Sequence, residues 1–202
     1  MNIKNILLVI VIPALTACGF GRTSEPARFY TLTTPAVEQV RGPANPTNVV
    51  IENVSVPQSV DRPQMVVKYT DSNMVDVSEF DRWIESPSSA MNIAISENMN
   101  MYARNINAIP KQIATHRNNA KYVVSIDFVR FDTEVNGKIT MSAWWTISNT
   151  NGDVLVQKKT TRVADTPNEK SDRPDYDAIV ATQSKMIADI SYKIADAISE
   201  LK

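Results

Sequence analysis

An α+β fold, a mixed or antiparallel sheet with two helices packed on one face, is what this 202-residue sequence predicts. Three observations carry the expectation. The stretch from Lys121 to Thr160 is rich in β-formers and is broken by Asn136-Gly137 and Asn151-Gly152, strong short-range hairpin signals. Ser86 followed by Pro87 reads as an N-cap and the first residue of a helix running to about Ala103. From about Asp175 to Leu201, Ile179, Met186, Ile187, Ile190, Ile194, Ile198 and Leu201 recur at helical spacing.

In chain order, strands are expected first at Arg28 to Thr34 and Asn48 to Val56, both rich in β-branched or aromatic residues. QMVVKYT and MVDVS flank the turn signal Asp71-Ser72-Asn73 and predict a hairpin. The helix after Ser86 presents Met91, Ile95, Asn98, Met99 and Tyr102 on one side. A type I′ turn at Asn136-Gly137 would pair Val135 with Lys138, placing Ile126 opposite Ile147 and Phe128 opposite Trp145 on the core face. The other face would then carry Val129 across from Trp144 and Phe131 across from Ser142, an apolar strip where solvent is the usual neighbour. The last helix would be ~40 Å long, enough to lie along most of a small sheet.

The amino terminus is organised differently. MNIKNILLVIVIPALTA has a lysine near its start, an unbroken apolar run from Ile6 to Val11 and small residues after it, the layout of a secretory signal peptide. The run falls well short of the ~20 apolar residues that a membrane-crossing helix needs. Immediately behind it stands Cys18, the only cysteine in the chain, so no intramolecular disulfide is available. Leu15, Thr16, Ala17 and Cys18 resemble the bacterial lipobox, in which the thiol receives a diacylglyceryl group before cleavage between Ala17 and Cys18. Only sulfur forms the thioether, and the freed amine of Cys18 accepts a further acyl chain. Two or three chains hold a protein firmly where one holds it marginally, because each buried CH₂ contributes ~0.8 kcal/mol. Residues 1–17 are thus expected to be the signal, residues 18–27 a lipidated tether rich in Gly, Ser and Pro, and residues 28–202 a single domain.

Charge and residue inventory argue against several chemistries. A formal charge of −1, about −2 once Lys4 is removed with the signal, offers nothing to nucleic acid. His116 is the only histidine and lies in the polar connector ATHRNNAK, so a zinc site or a Ser-His-Asp triad has little to draw on. Asp61, Asp76, Glu79, Asp81 and Glu85 are close in sequence, yet acids so placed are more often solvated than paired for glycoside chemistry. Of the five glycines, three fall in the tether and in the loop from Pro35 to Asn48, leaving no phosphate-cradling loop. A binding part without metal or cofactor is expected rather than an enzyme, the acyl groups on Cys18 being its only attached groups.

Three segments then point to a family. Phe29-Tyr30-Thr31-Leu32 matches a short aromatic YTL strand. Val56-Pro57 through Asp61-Arg62-Pro63 to Met65-Val66 matches an LP-x-x-x-DRP-x-hydrophobic-V segment, and Arg82-Trp83 matches an RW before the first helix. With these, the chain resembles the ABC-type transport auxiliary lipoproteins of the PqiC (paraquat-inducible) and YmbA type. Val56 stands here in place of the usual Leu, and Ile84-Glu85-Ser86-Pro87 where AEPL is common. By their own chemistry, Pro63 biases Arg62 towards an extended backbone, Asp61 is suited to a bidentate pair with Arg62 or Arg82, and Trp83 buries a large ring. These residues serve either to pin a loop on the core or as part of a docking surface.

The resemblance implies a periplasm-facing lipoprotein that serves MCE-domain proteins, hollow assemblies moving phospholipid or other lipid between the two membranes. With Gly19 rather than Asp behind Cys18, the resemblance favours the outer membrane. Docking through Trp144 and its neighbours Val129 and Phe131 is the expected work. A second copy of the chain is an alternative partner for that face. Two other classes stay open: an envelope binding module that regulates cell-wall assembly, and a lipid-binding carrier with its own cavity.

Overall fold

A computed structural model describes residues 25–34, 45–113, 119–167 and 174–201. Ala17, Cys18, the signal, most of the tether, much of the loop from Pro35 to Asn48, and His116 lie outside the described residues. Eight strands, β1 (Arg28–Tyr30), β2 (Thr47–Ser55), β3 (Gln64–Tyr69), β4 (Val75–Trp83), β5 (Ile106–Pro110), β6 (Tyr122–Val135), β7 (Lys138–Asn149) and β8 (Val154–Asp165), form one mixed sheet. Two helices, α1 (Pro87–Tyr102) and α2 (Tyr176–Glu200), pack with it around one apolar core. This is the expected α+β architecture. β5 was not anticipated; its short INAIP run adds a parallel edge beside β2. β1 is shorter than the expected strand and lies parallel to β4.

The strand that organises the sheet is β6. Its first half pairs in parallel with β2 through Ser55 and Asp127, its last residues pair in parallel with β3 through Lys68 and Glu134, and its opposite edge pairs with β7 throughout. Two half-sheets thus diverge from β6, with β5 and β2 on one arm and β3, β4 and β1 on the other.

The hairpin between β6 and β7 departs from the expected register. Thr133 pairs with Ile139 and Phe131 with Met141, so the ladder is offset by one residue from the Val135–Lys138 pairing. Glu134 carbonyl accepts from the Gly137 N–H at 3.1 Å, and of the turn residues Asn136 alone has positive φ, 56°, where a type I′ turn needs two. Gly137 is required for a different reason: a Cβ there would sit 2.7 Å from Thr70 Oγ1 and 2.9 Å from Glu134 Cβ. A second shift follows at Val129, where two residues of β6 oppose one of β7. Beyond it Ile126 pairs with Trp145, not Ile147, and Phe128 with Ala143, not Trp145.

That bulge reverses the side-chain alternation of β6. Phe128 and Phe131 are both buried and meet edge to face with ring centres 6.5 Å apart. Phe131 therefore belongs to the core and not, as expected, to the outer face beside Trp144. Trp145 does point inward, 2% exposed, and its indole N–H donates to Thr160 Oγ1 at 3.0 Å.

The two helices bury themselves by different means. α2 is amphipathic, with Ile179, Ile187, Ile190, Ile194 and Ile198 in the core, and Asp175 caps it by accepting from the Ala178 N–H at 3.1 Å. Burial on α1 extends around much of its circumference and includes Asn92, Ser96 and Asn98. Asn92 resolves its polarity by donating to the Ile51 carbonyl and accepting from the Lys111 N–H, both at 3.1 Å, which ties α1 to β2 and to the 3-10 turn after β5. Tyr102, grouped by spacing with Met91, Ile95, Asn98 and Met99, is exposed where those four are buried, and it stacks on Tyr192 of α2 at 4.2 Å.

Candidate docking surface

The DRP loop begins where β2 ends. Pro57 carbonyl accepts from the Val60 and Asp61 N–H groups at 2.9 and 3.1 Å, folding the loop tightly. Asp61 then projects to the start of α1. Its carboxylate accepts from the Ser88 N–H at 3.1 Å and from Ser88 Oγ at 2.9 Å, while the N-cap residue Ser86 makes no side-chain capping bond. Asp61 is thus a helix cap supplied from 27 residues upstream, its negative charge at the positive end of the helix dipole. The expected pair with Arg62 or Arg82 is not what forms. Arg62 is exposed and donates to Gln64 Oε1 at 3.3 Å, and Arg82 Nε is buried without a hydrogen-bond partner. Pro63 carbonyl accepts from the Trp83 N–H at 2.7 Å, and Trp83 is buried in the core. The Asp61 carboxylate, the Pro63 carbonyl and Trp83 therefore join β2, β4 and α1, while the side chains of Arg62 and Pro63 stay exposed.

A second polar cluster clasps the first strand after the tether. Asp81, expected to be solvated, is 1% exposed. Arg28 forks onto it with bonds of 2.6 and 2.9 Å, Tyr30 hydroxyl donates to it at 3.0 Å, and Ser78 Oγ at 2.9 Å. The hydrogen bonds that Arg28 donates to Asp81 first, and to Glu25 second, drive its pKa further up and fix its charge. Burial, with the Asp81 bond second, raises the Tyr30 phenol. Nearby Tyr176 is raised mainly by burial. Sequence spacing gave no sign of this cluster, because Arg28 and Asp81 meet only through the parallel pairing of β1 with β4.

The outer face of β6–β7–β8 carries the third feature. Trp144 is 44% exposed, opposite Asp127 on β6 and Lys159 on β8, with Lys159 Nζ 5.9 Å from its ring centre. Val129 is exposed at the bulge, and Val163 on β8 is exposed too. Asp127 is held by Ser55 Oγ at 2.6 Å, and Ser142 bonds Thr161 at 2.9 Å. The result is an aromatic centre with a polar surround, less apolar than the sequence predicted because Phe131 has turned inward. Among the described residues, no three His, Cys, Asp or Glu side chains are grouped to hold a metal, and no helix is long and apolar enough to cross a membrane.

By its fold the molecule is an α+β domain of a kind already seen in solved structures. An uncharacterised protein superposes with a TM-score of 0.67 at 14% identity, over 86% of this chain and 99% of that one. A Xanthomonas campestris protein of the DUF330 family superposes with a TM-score of 0.61 at 16% identity, over 84% and 93%. At such identities the likeness is one of fold. The profile of the ABC-type transport auxiliary lipoprotein components matches residues 30–195, and the chain belongs to that family. No curated protein matches it. As a member of that family it is a membrane-anchored lipoprotein and an auxiliary component of a transport system.

Proposed function

We propose that this lipoprotein is the outer-membrane-anchored subunit of an MCE-type intermembrane (phospho)lipid transport system, where it docks the periplasmic tunnel at the membrane. The observation that carries the reading is the family match over residues 30–195. Supporting it are Cys18 behind a signal-like run, which supplies the anchor, and an exposed Trp144 in a polar surround, the usual anatomy of a contact surface. The protein works by contact rather than catalysis, with MCE-domain protein and outer-membrane lipid as its neighbours.

A photo-reactive phenylalanine analogue at position 144 in living cells tests the docking reading. The expected catch is an MCE-domain protein; a cell-wall synthase in its place would replace this reading with the cell-wall alternative. Phospholipid carried by the purified chain in native mass spectrometry would favour the carrier. Cys18→Ser should abolish incorporation of labelled fatty acid, and retained label would remove the anchor from the proposal.

A further inference from the structure

β6 leaves a gap on one of its edges. Its ladder to β2 ends at Asp127 and its ladder to β3 begins at Glu134, so among the described residues no strand pairs with residues 128–133 on that side. The two half-sheets diverge here and leave a cleft of about 240 Å³. Val66, Val75 and Val77 form one wall, Phe131 lies on the other, and Val60 of the DRP loop lines it too. Val66 and Val77 are cross-strand partners.

Three properties define what fits. The charges at the rim already have counter-ions: Lys68 Nζ lies 3.5 Å from Glu134, and Arg130 Nε lies 2.7 Å from Asp132. A charged occupant would have to compete with these pairs, whereas an uncharged one leaves them intact. The volume is below the roughly 300–1,000 Å³ of pockets that enclose a drug-sized molecule, which excludes a two-chain phospholipid and suits one large side chain. Finally, an unpaired stretch of strand offers backbone N–H and C=O groups that an extended chain can satisfy and a lipid tail cannot.

We propose that this cleft is a docking site for a short extended segment of a protein partner, uncharged and carrying one bulky aliphatic or aromatic side chain. The segment adds a strand to the open edge of β6 while its apolar side chain fills the space against Val66 and Val77. Main-chain bonds supply affinity and the pocket supplies selectivity, as in other strand-addition sites. The site stands on its own geometry and does not depend on which transport machine the lipoprotein serves.

A heptapeptide phage library panned on the full mature chain, kept in solution by Cys18→Ser, tests it. Enriched peptides should be uncharged and β-branched around a single Leu, Ile or Phe. A synthetic copy of the leading peptide, followed by fluorescence anisotropy, should bind Val77→Asp at least about tenfold more weakly and Leu155→Ala, at an exposed position of β8, within about twofold of the parent. Val75→Asp, at a position 61% exposed, repeats the test without loading the fold. The proposal is overturned by no enrichment, by charged or helical consensus peptides, or by a peptide indifferent to both aspartates. Displacement of the peptide by monomeric decanoate that itself binds more tightly would overturn it in favour of an acyl-chain site.

Discussion

Trp144 and Trp145 are neighbours in sequence and opposites in the fold, so truncating each to alanine measures the two faces of the sheet separately. Trp145 is 2% exposed and its N–H is bonded to Thr160. Removing a buried indole typically costs ~3–5 kcal/mol. The Thr160 hydroxyl, itself buried, is then left without this donor, which adds roughly 1 kcal/mol. For a chain of this size about 1 kcal/mol moves the melting temperature by roughly 2–4 °C, so Trp145→Ala should melt about 10 °C or more below the parent. Trp144 loses the same volume from a position already 44% exposed. Its contact with Lys159 is worth roughly 0.5–1 kcal/mol at such a site, so Trp144→Ala should stay within about 4 °C. Association with an MCE partner should respond in the reverse order, because a central exposed aromatic often carries about 2 kcal/mol or more of an interface. Calorimetric melts and analytical ultracentrifugation of the mature chain with Cys18→Ser give both quantities. Equal losses of stability for the two variants would refute the assignment of faces. A Trp144→Ala chain that melts early yet binds normally would refute the docking role.

Other residues give sharper single tests. Asp61→Ala removes the remote cap of α1 and should cost about 1 kcal/mol in chemical denaturation, and an unchanged midpoint would show the Ser88 bonds to be idle. Asn98 is 1% exposed with neither side-chain amide atom bonded, so Asn98→Ala should raise stability by about 1 kcal/mol, and a loss would show that its packing outweighs its unmet polarity. Burial raises the Tyr176 phenol above its ordinary 10.0, so the folded state holds that proton when the unfolded chain releases it. Its contribution is therefore full below pH 10 and is lost as pH rises through the folded value. Tyr176→Phe should lose less stability than the parent between pH 9 and about 11 in denaturant titrations, and equal slopes would place that phenol in water.

Much of the architecture was legible because it rests on local signals. Ser86-Pro87 and Asp175 mark the helix starts within a residue, and the apolar spacing of Ile179 through Ile198 defines the buried side of α2. Alternation gave the extents of β6 and β7, and it correctly separated Trp144 from Trp145. Cys18 and the residues before it can be read only as sequence, since they lie outside the described residues. The candidate surface was legible in part: Trp144 and Val129 face outward as expected, and Phe131 does not.

The sequence by itself determined the class of fold, the family motifs and the place of the single thiol, because each depends on residues close together along the chain. Tertiary structure alone decided the rest. The bulge at Val129 moved Phe131 from one face to the other, since one extra residue in a strand of period two reverses every side chain beyond it. Asp61 became a helix cap and Asp81 a buried partner of Arg28 because β2 and β1 brought them to distant segments. The stretch of β6 that no strand pairs on one side, among the described residues, arises because β2 ends its pairing at Asp127 and β3 begins at Glu134. Such features arise from where strands meet, and no short window of sequence contains both sides of the meeting.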